Sequence, residues 1–158
     1  MRRMRRFGPT GLLVAALLAL LAAGAQGARR QAFTVVMGEY SFDPATLTVS
    51  AGSQVEITLV NQGRLPHEFM VYPSGPNMPM ERKEMHEWVE ANSMLKGVET
   101  TVEVDGNTIS GTEIMEVVVK PGARVSIRFV PARTGTFEFA CLIPGHYEQG
   151  QKGQLIVK

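Results

Sequence analysis

Residues 46–63 read TLTVSAGSQVEITLVNQG, and their period leaves the chain few choices. Leu47 and Val49 alternate with Thr46, Thr48 and Ser50. Ala51-Gly52 then turns the chain, and Val55, Ile57 and Leu59 share the next apolar face. A period of two places alternate side chains on opposite faces of a strand, so each run needs a sheet with one buried side. The preceding AFTVVMGEY and SFDPA are also extended in character, as is RLPHEFMVY after the second run. Late in the chain, EVVVKPGARVSIRFVPARTGTFEFAC reads as strand, Pro-Gly turn, strand, bend and strand, and GQLIVK closes with one more. Short alternating strands with regular turns predict an all-β sandwich or barrel.

The middle departs from that period. Residues 78–97, MPMERKEMHEWVEANSMLKG, are rich in Glu, Lys and Met, with Met85, Trp88, Val89 and Asn92 at helical spacing. Gly97 is a candidate for the residue just past the helix end. TTVEVDGNTISG then predicts a hairpin turning at Asp105-Gly106. Residues 73–113 are therefore expected to be an insertion, a helix plus a hairpin outside or across one end of the sandwich.

The N-terminus carries an address. MRRMRRF is basic, residues 11–23 are an unbroken apolar run, and Ala23 and Ala25 fit a signal-peptidase site before Gln26. The run is shorter than the roughly 20 residues that a membrane span needs. Residues 1–25 are thus expected to be a cleaved export signal, and 26–158 a single domain of ordinary size. The alternative is an uncleaved N-terminal anchor. The chain would then act in the periplasm or another exported setting, with no stable membrane insertion after cleavage. Whole-chain charge is 16 − 15 = +1, and loss of four signal arginines makes it 12 − 15 = −3. A nucleic-acid binder would show a basic patch or stripe, and this balance argues against one.

Cys141 is the single cysteine, so no internal disulfide is available. An odd thiol in an oxidising compartment must be buried, bonded to a partner or holding a metal. Four residues separate it from His146, across a tight LIPG loop. A thiolate and an imidazole this close can share one ion, and His67, after the turn-forming NQGRLP, is placed to add a third donor. One thiolate with two imidazoles is the trigonal set that suits copper, with a weak axial contact beyond it.

The segments YSFDPATLTVSAGSQVEITLVNQG, HEF around His67 and GTFEFACLIPGHYEQGQKGQLIV resemble the cupredoxin, or blue-copper, family that includes plastocyanin and azurin. That resemblance implies a two-sheet Greek-key sandwich holding one type 1 copper ion, Cu(I) or Cu(II), through His67, Cys141 and His146. In rusticyanin-like ligand loops the axial methionine follows the loop histidine by five residues. Gln151 occupies that slot here, as glutamine does in stellacyanins. An amide oxygen is a harder donor than a thioether and favours Cu(II). Glu148, Gln149 and the Pro66 carbonyl are weaker axial candidates, and a three-coordinate site with Gln151 in solvent is the alternative. Glu68 stands where many cupredoxins have an asparagine that ties the ligand loops. It could meet a backbone N–H, face solvent or alter the response to pH.

Leu65, Pro66, Leu142, Ile143 and Pro144 surround His146, and in the family such a patch receives redox partners; ordinary packing at the end of the sandwich is the alternative. Met78, Met80, Met85, His86 and Met94 could offer soft donors to Cu(I), although methionine also fills gaps in cores. His86 by itself reads as a solvated or packing residue. The resulting expectation is a monomeric, non-catalytic electron carrier that docks a redox partner near His146. The alternative is a periplasmic protein of copper tolerance, storage or delivery that meets a copper-handling protein. An oxidase or nitrite reductase would need further histidines, and a binuclear copper site a second cysteine.

Overall fold

The computed structural model of the protein describes residues 30–75, 78–79 and 81–158. The expected export signal, residues 1–25, lies outside the described residues, as does Met80. Among the described residues eleven strands run in chain order as β1 (Gln31–Gly38), β2 (Ser41–Asp43), β3 (Thr46–Val49), β4 (Val55–Asn61), β5 (His67–Pro73), β6 (Thr100–Val104), β7 (Asn107–Gly111), β8 (Glu116–Val119), β9 (Arg124–Phe129), β10 (Gly135–Ala140) and β11 (Lys152–Val157). One helix among the same described residues, α1 (Arg82–Asn92), falls between β5 and β6. No helix among the described residues is long and apolar enough to cross a membrane.

The period-two runs build two sheets. One has the order β2-β1-β4-β9-β6-β7 and the other β3-β11-β10-β5-β8. Parallel pairs β1–β4 and β3–β11 lie within otherwise antiparallel sheets. Val55, Ile57 and Leu59 are fully buried between the sheets, facing Leu47, Phe69, Phe139 and Leu155. Phe139 is the hub of an aromatic cluster, 5.2 Å from Phe42 and 5.3 Å from Phe69 between ring centroids.

Strand β5 breaks the alternation for a physical reason. Phe69 and Val71 point into the main core, while Met70 and Tyr72 belong to a second core with Met85, Val89, Ala140 and Leu142. Helix α1 supplies Met85 and Val89, so it covers the outer face of the second sheet. Both faces of β5 are therefore buried, and a strand buried on both sides carries no polar alternation.

The insertion contains the expected helix and hairpin, but two details differ from the sequence reading. The helix ends at Asn92, not at Gly97. The Met94 N–H and Ser93 Oγ both donate to the Val71 carbonyl, and this docking onto β5 draws the chain off the helical path. Met94 and Leu95 then enter the main core. The hairpin does not lie outside or across an end: β6 pairs with β9, Val102 opposite Ile127, and extends the first sheet. Asp105 and Gly106 both have positive φ, as a two-residue primed turn requires.

Gly153 is required by close approach. A Cβ there would run into the Phe139 ring and come within 2.5 Å of the Ala45 carbonyl oxygen. Because Phe139 sits at the aromatic hub, it has little room to yield. Gly153→Ala is expected to destabilise the fold by about 1–3 kcal/mol, read as a lowered denaturation midpoint with unchanged m.

Candidate metal centre

Antiparallel pairing of β5 with β10 brings the start of one strand beside the end of the other, with Met70 opposite Ala140. His67, the first residue of β5, thereby meets Cys141, which follows the last residue of β10. The loop from Cys141 to Gln151 folds back through its own backbone. His146 N–H donates to Ile143 O at 2.9 Å, Gln151 N–H to His146 O at 3.0 Å, and Cys141 N–H to Gln151 O at 3.1 Å. Gly145 takes φ +88°, a conformation that side chains resist, which accounts for glycine just before the histidine.

This folding brings together all four residues singled out in the sequence. His146 Nδ1 lies 3.3 Å from His67 Nδ1, 3.3 Å from Cys141 Sγ and 3.1 Å from Gln151 Oε1. The His67, Cys141 and His146 donor atoms lie within 4.8 Å of one another. His67, Cys141 and Gln151 are 0% exposed, and His146 is 5% exposed. Gln151 points inward, not to solvent. Its Nε2 donates to the Gly38 carbonyl at 3.2 Å and reaches the Ser41 carbonyl at 3.5 Å. Carbonyls only accept, so the amide nitrogen must face them and the oxygen must face the imidazoles. The other axial candidates, Glu148, Gln149 and Pro66, are exposed.

The donor set is chemically suited to one copper ion. A thiolate, two imidazoles and a weak oxygen contact converge in a buried space, each with its donor atom turned inward. Burial pushes the Cys141 thiol above its usual range, although N–H donors from Glu68 and Ile143 oppose the shift. Burial, followed by the charge of His146, lowers the His67 pKa. Both shifts favour neutral groups in the absence of an ion.

Backbone and side-chain ties hold the donors from behind. Glu68 N–H donates to Cys141 Sγ at 3.2 Å, and Glu68 Oε2 accepts from Leu142 N–H at 3.1 Å. Of the roles open to Glu68, the structure shows the backbone contact, which joins the two ligand loops. Burial, then the nearby Glu116 carboxylate, raises its pKa.

Three neighbours were missed by sequence reasoning. Asn61 donates to Leu65 O at 2.8 Å and Val119 O at 2.9 Å, and its Oδ1 accepts from Gly63 N–H at 2.8 Å. Its place in the NQG turn was visible, but not its clamp on the loop before His67. Glu39 accepts from the Arg64 and Leu65 N–H groups, and Oε1 stands 3.9 Å from His67 Nε2. The Arg64 bond is first among the causes that lower its pKa. That His67 nitrogen is buried with no hydrogen-bond partner among the described residues. Tyr40 packs edge-on against His146 at 4.9 Å. A charged residue closing the apolar run AFTVVMG was the one available hint of Glu39.

The expected apolar patch is smaller than the sequence implied. Leu142 is buried in the second core and Ile143 packs on the main core, which leaves Leu65, Pro66 and Pro144 exposed. The methionines are divided between the two cores. Met94 is in the main core, Met85 is in the second, and Met78 packs against the second.

The profile of the cupredoxin-like domain matches residues 11–92. The copper-resistant cuproprotein CopI of Pseudomonas aeruginosa is 29% identical to this chain over 98% of both proteins. That of Rubrivivax gelatinosus is 31% identical over 83% of this chain and 68% of its own length. Reduced auracyanin from Roseiflexus castenholzii superposes with a TM-score of 0.55 at 20% identity, over 84% of this chain and 99% of that one. The copper nitrite reductase of Nitrosomonas europaea gives 0.56 at 12% identity, over 85% of this chain and 52% of that one. These structural likenesses show the fold. Together with the profile match and the CopI identity, they establish that this chain belongs to the cupredoxin family.

Proposed function

We propose that the protein is an exported, non-catalytic copper protein of copper resistance that holds one type 1 ion through His67, Cys141, His146 and Gln151. The observation that carries this reading is the convergence of four buried donors, with the Gln151 oxygen fixed toward the imidazoles by two carbonyls. The CopI relatives, described as copper-resistant cuproproteins, support the choice of process. The basic and apolar N-terminal pattern supports export.

When bound, copper would supply a one-electron Cu(I)/Cu(II) couple and a strong thiolate-to-metal bond. The chain's own residues orient the donors and exclude water. Cys141 would lose its proton on loading, and the Glu68 and Ile143 N–H groups stabilise the resulting charge. Electron transfer to a docked protein is a second reading, favoured by donors held in place before loading, since fixed ligands limit reorganisation. The partner would meet the surface near His146, and a monomer suits either role.

The central test is direct. Cu(II) added to the purified mature domain should give intense thiolate-to-copper absorption that bleaches on reduction and returns on reoxidation. A colourless complex would sink the type 1 reading. In cells lacking the gene, the wild-type chain should restore growth on copper and Cys141→Ser should not. Equal rescue by both would remove the site from copper resistance.

Two further outcomes follow from the geometry. Replacing the amide oxygen by a thioether in Gln151→Met should shift preference toward Cu(I). A tenfold change in the ratio of affinities raises a one-electron potential by about 59 mV, and an increase of at least that size is expected by voltammetry. Loading should also depend on pH. Because burial raises the Cys141 pKa, the thiol remains protonated at neutral pH and must release its proton. Apparent affinity should therefore rise with pH, by about tenfold per unit, until the thiol itself ionises. Competition titrations against a chelator of known pH behaviour would measure it.

A further inference from the structure

A second group of metal-ligating side chains lies outside the copper centre. His86 and Glu90 stand one turn apart on α1, and Glu116 opens β8. Register places Glu116 opposite Met70 of β5, and Met85 and Val89 of α1 pack in one core with Met70. This seating brings the imidazole to Glu116. His86 Nδ1 is 3.7 Å from Glu90 Oε1, and Nε2 is 3.7 Å from Glu116 Oε2. One donor atom from each residue lies within 4.8 Å of the other two.

Three features separate this cluster from an ordinary surface ion pair. The imidazole stands between two carboxylates, 3.7 Å from each, instead of facing a single one. Among the described residues, Glu90 and Glu116 have no lysine or arginine in an ion pair, although Glu56, Glu87 and Glu103 do. Negative charge is also in excess. Glu113 lines a groove with Glu90 and Glu116, and the Glu68 carboxylate is close enough to act electrostatically on both His86 and Glu116. All three side chains are partly exposed, at 30–46%, which leaves a way in for an ion.

We propose that His86, Glu90 and Glu116 form a second metal site, which takes a divalent cation of the Cu(II) or Zn(II) class with water completing its coordination. The donor set selects that class. An imidazole suits Cu(II), Zn(II) and Ni(II), whereas Ca(II) takes six to eight oxygens and Cu(I) prefers sulfur. Among divalent first-row ions a set of this kind holds Cu(II) most tightly. The site shares no ligand with the copper centre and does not depend on it.

Cu(II) titration of the apo full-length chain tests this, with bound metal counted after desalting and the EPR spectrum recorded. Roughly two equivalents are expected. One should give the coloured thiolate complex, and the other a colourless Cu(II) signal with the wide hyperfine splitting of a tetragonal nitrogen–oxygen site. His86→Ala and Glu116→Gln should each abolish the second signal and leave the thiolate absorption intact, with circular dichroism reporting an unchanged fold. Glu90→Gln should weaken the second equivalent, and Zn(II) in large excess should compete it away before the coloured one. A second signal that survives both His86→Ala and Glu116→Gln would overturn the proposal, as would a wild-type chain that takes one equivalent. Loss of colour with the second signal retained would count against the copper centre alone.

Discussion

The carboxamide of Gln151 is gripped from behind, and much of the metal end is arranged around that grip. Its nitrogen donates to the Gly38 carbonyl at the end of β1 and approaches the Ser41 carbonyl at the start of β2. Turning the amide over would set its oxygen against two others in a buried site, a repulsion with no solvent to relieve it. The oxygen is thus presented 3.1 Å from His146 Nδ1 by a corner of the first sheet, while its backbone closes the loop of the second. One side chain joins the two layers at the end where the polar donors are buried.

The remaining donors are fixed with the same economy. Glu68 follows His67 directly, its N–H touches the Cys141 sulfur, and its carboxylate takes the Leu142 N–H. Carboxylate serves here where an amide would, because the group on the facing loop is a donor. Asn61 braces the turn before His67 against β8. Desolvation then keeps the pocket neutral, raising the thiol and lowering the His67 imidazole. A neutral pocket limits the repulsion among buried donors and leaves the incoming ion to draw out the thiolate.

The sandwich was legible because its period-two runs need one buried face, and Val55, Ile57 and Leu59 occupy that face. His67, Cys141, His146 and Gln151 were legible because three lie within one short loop and the fourth closes a turn. The hidden parts are those set by distant pairing. Val102 opposite Ile127 makes the hairpin a sheet extension, and nothing local to TTVEVDGNTISG announces it. Helix α1 ends early because Ser93 and Met94 dock on Val71, a contact across more than twenty residues. Glu39 escaped notice because its partners, Arg64 and Leu65, lie three strands further along the chain.

The insertion bears on the metal end through β5. Met70 and Leu142 lie in the core that α1 covers, and Leu142 adjoins Cys141. Removing the helix would bare Met70, Tyr72, Ala140 and Leu142 together, so its packing supports the strand that carries His67 and the loop that carries the thiol. The same cover decides direction. With His67, Cys141 and Gln151 at 0% exposure and α1 over the outer face of their sheet, His146 at 5% is the donor nearest water. Tyr40 packs on the His146 ring, and Leu65 stands exposed nearby in the loop leading to His67. On the proposed reading, the least obstructed path for an ion or an electron is past the His146 ring, and the burial of the other three donors makes it so.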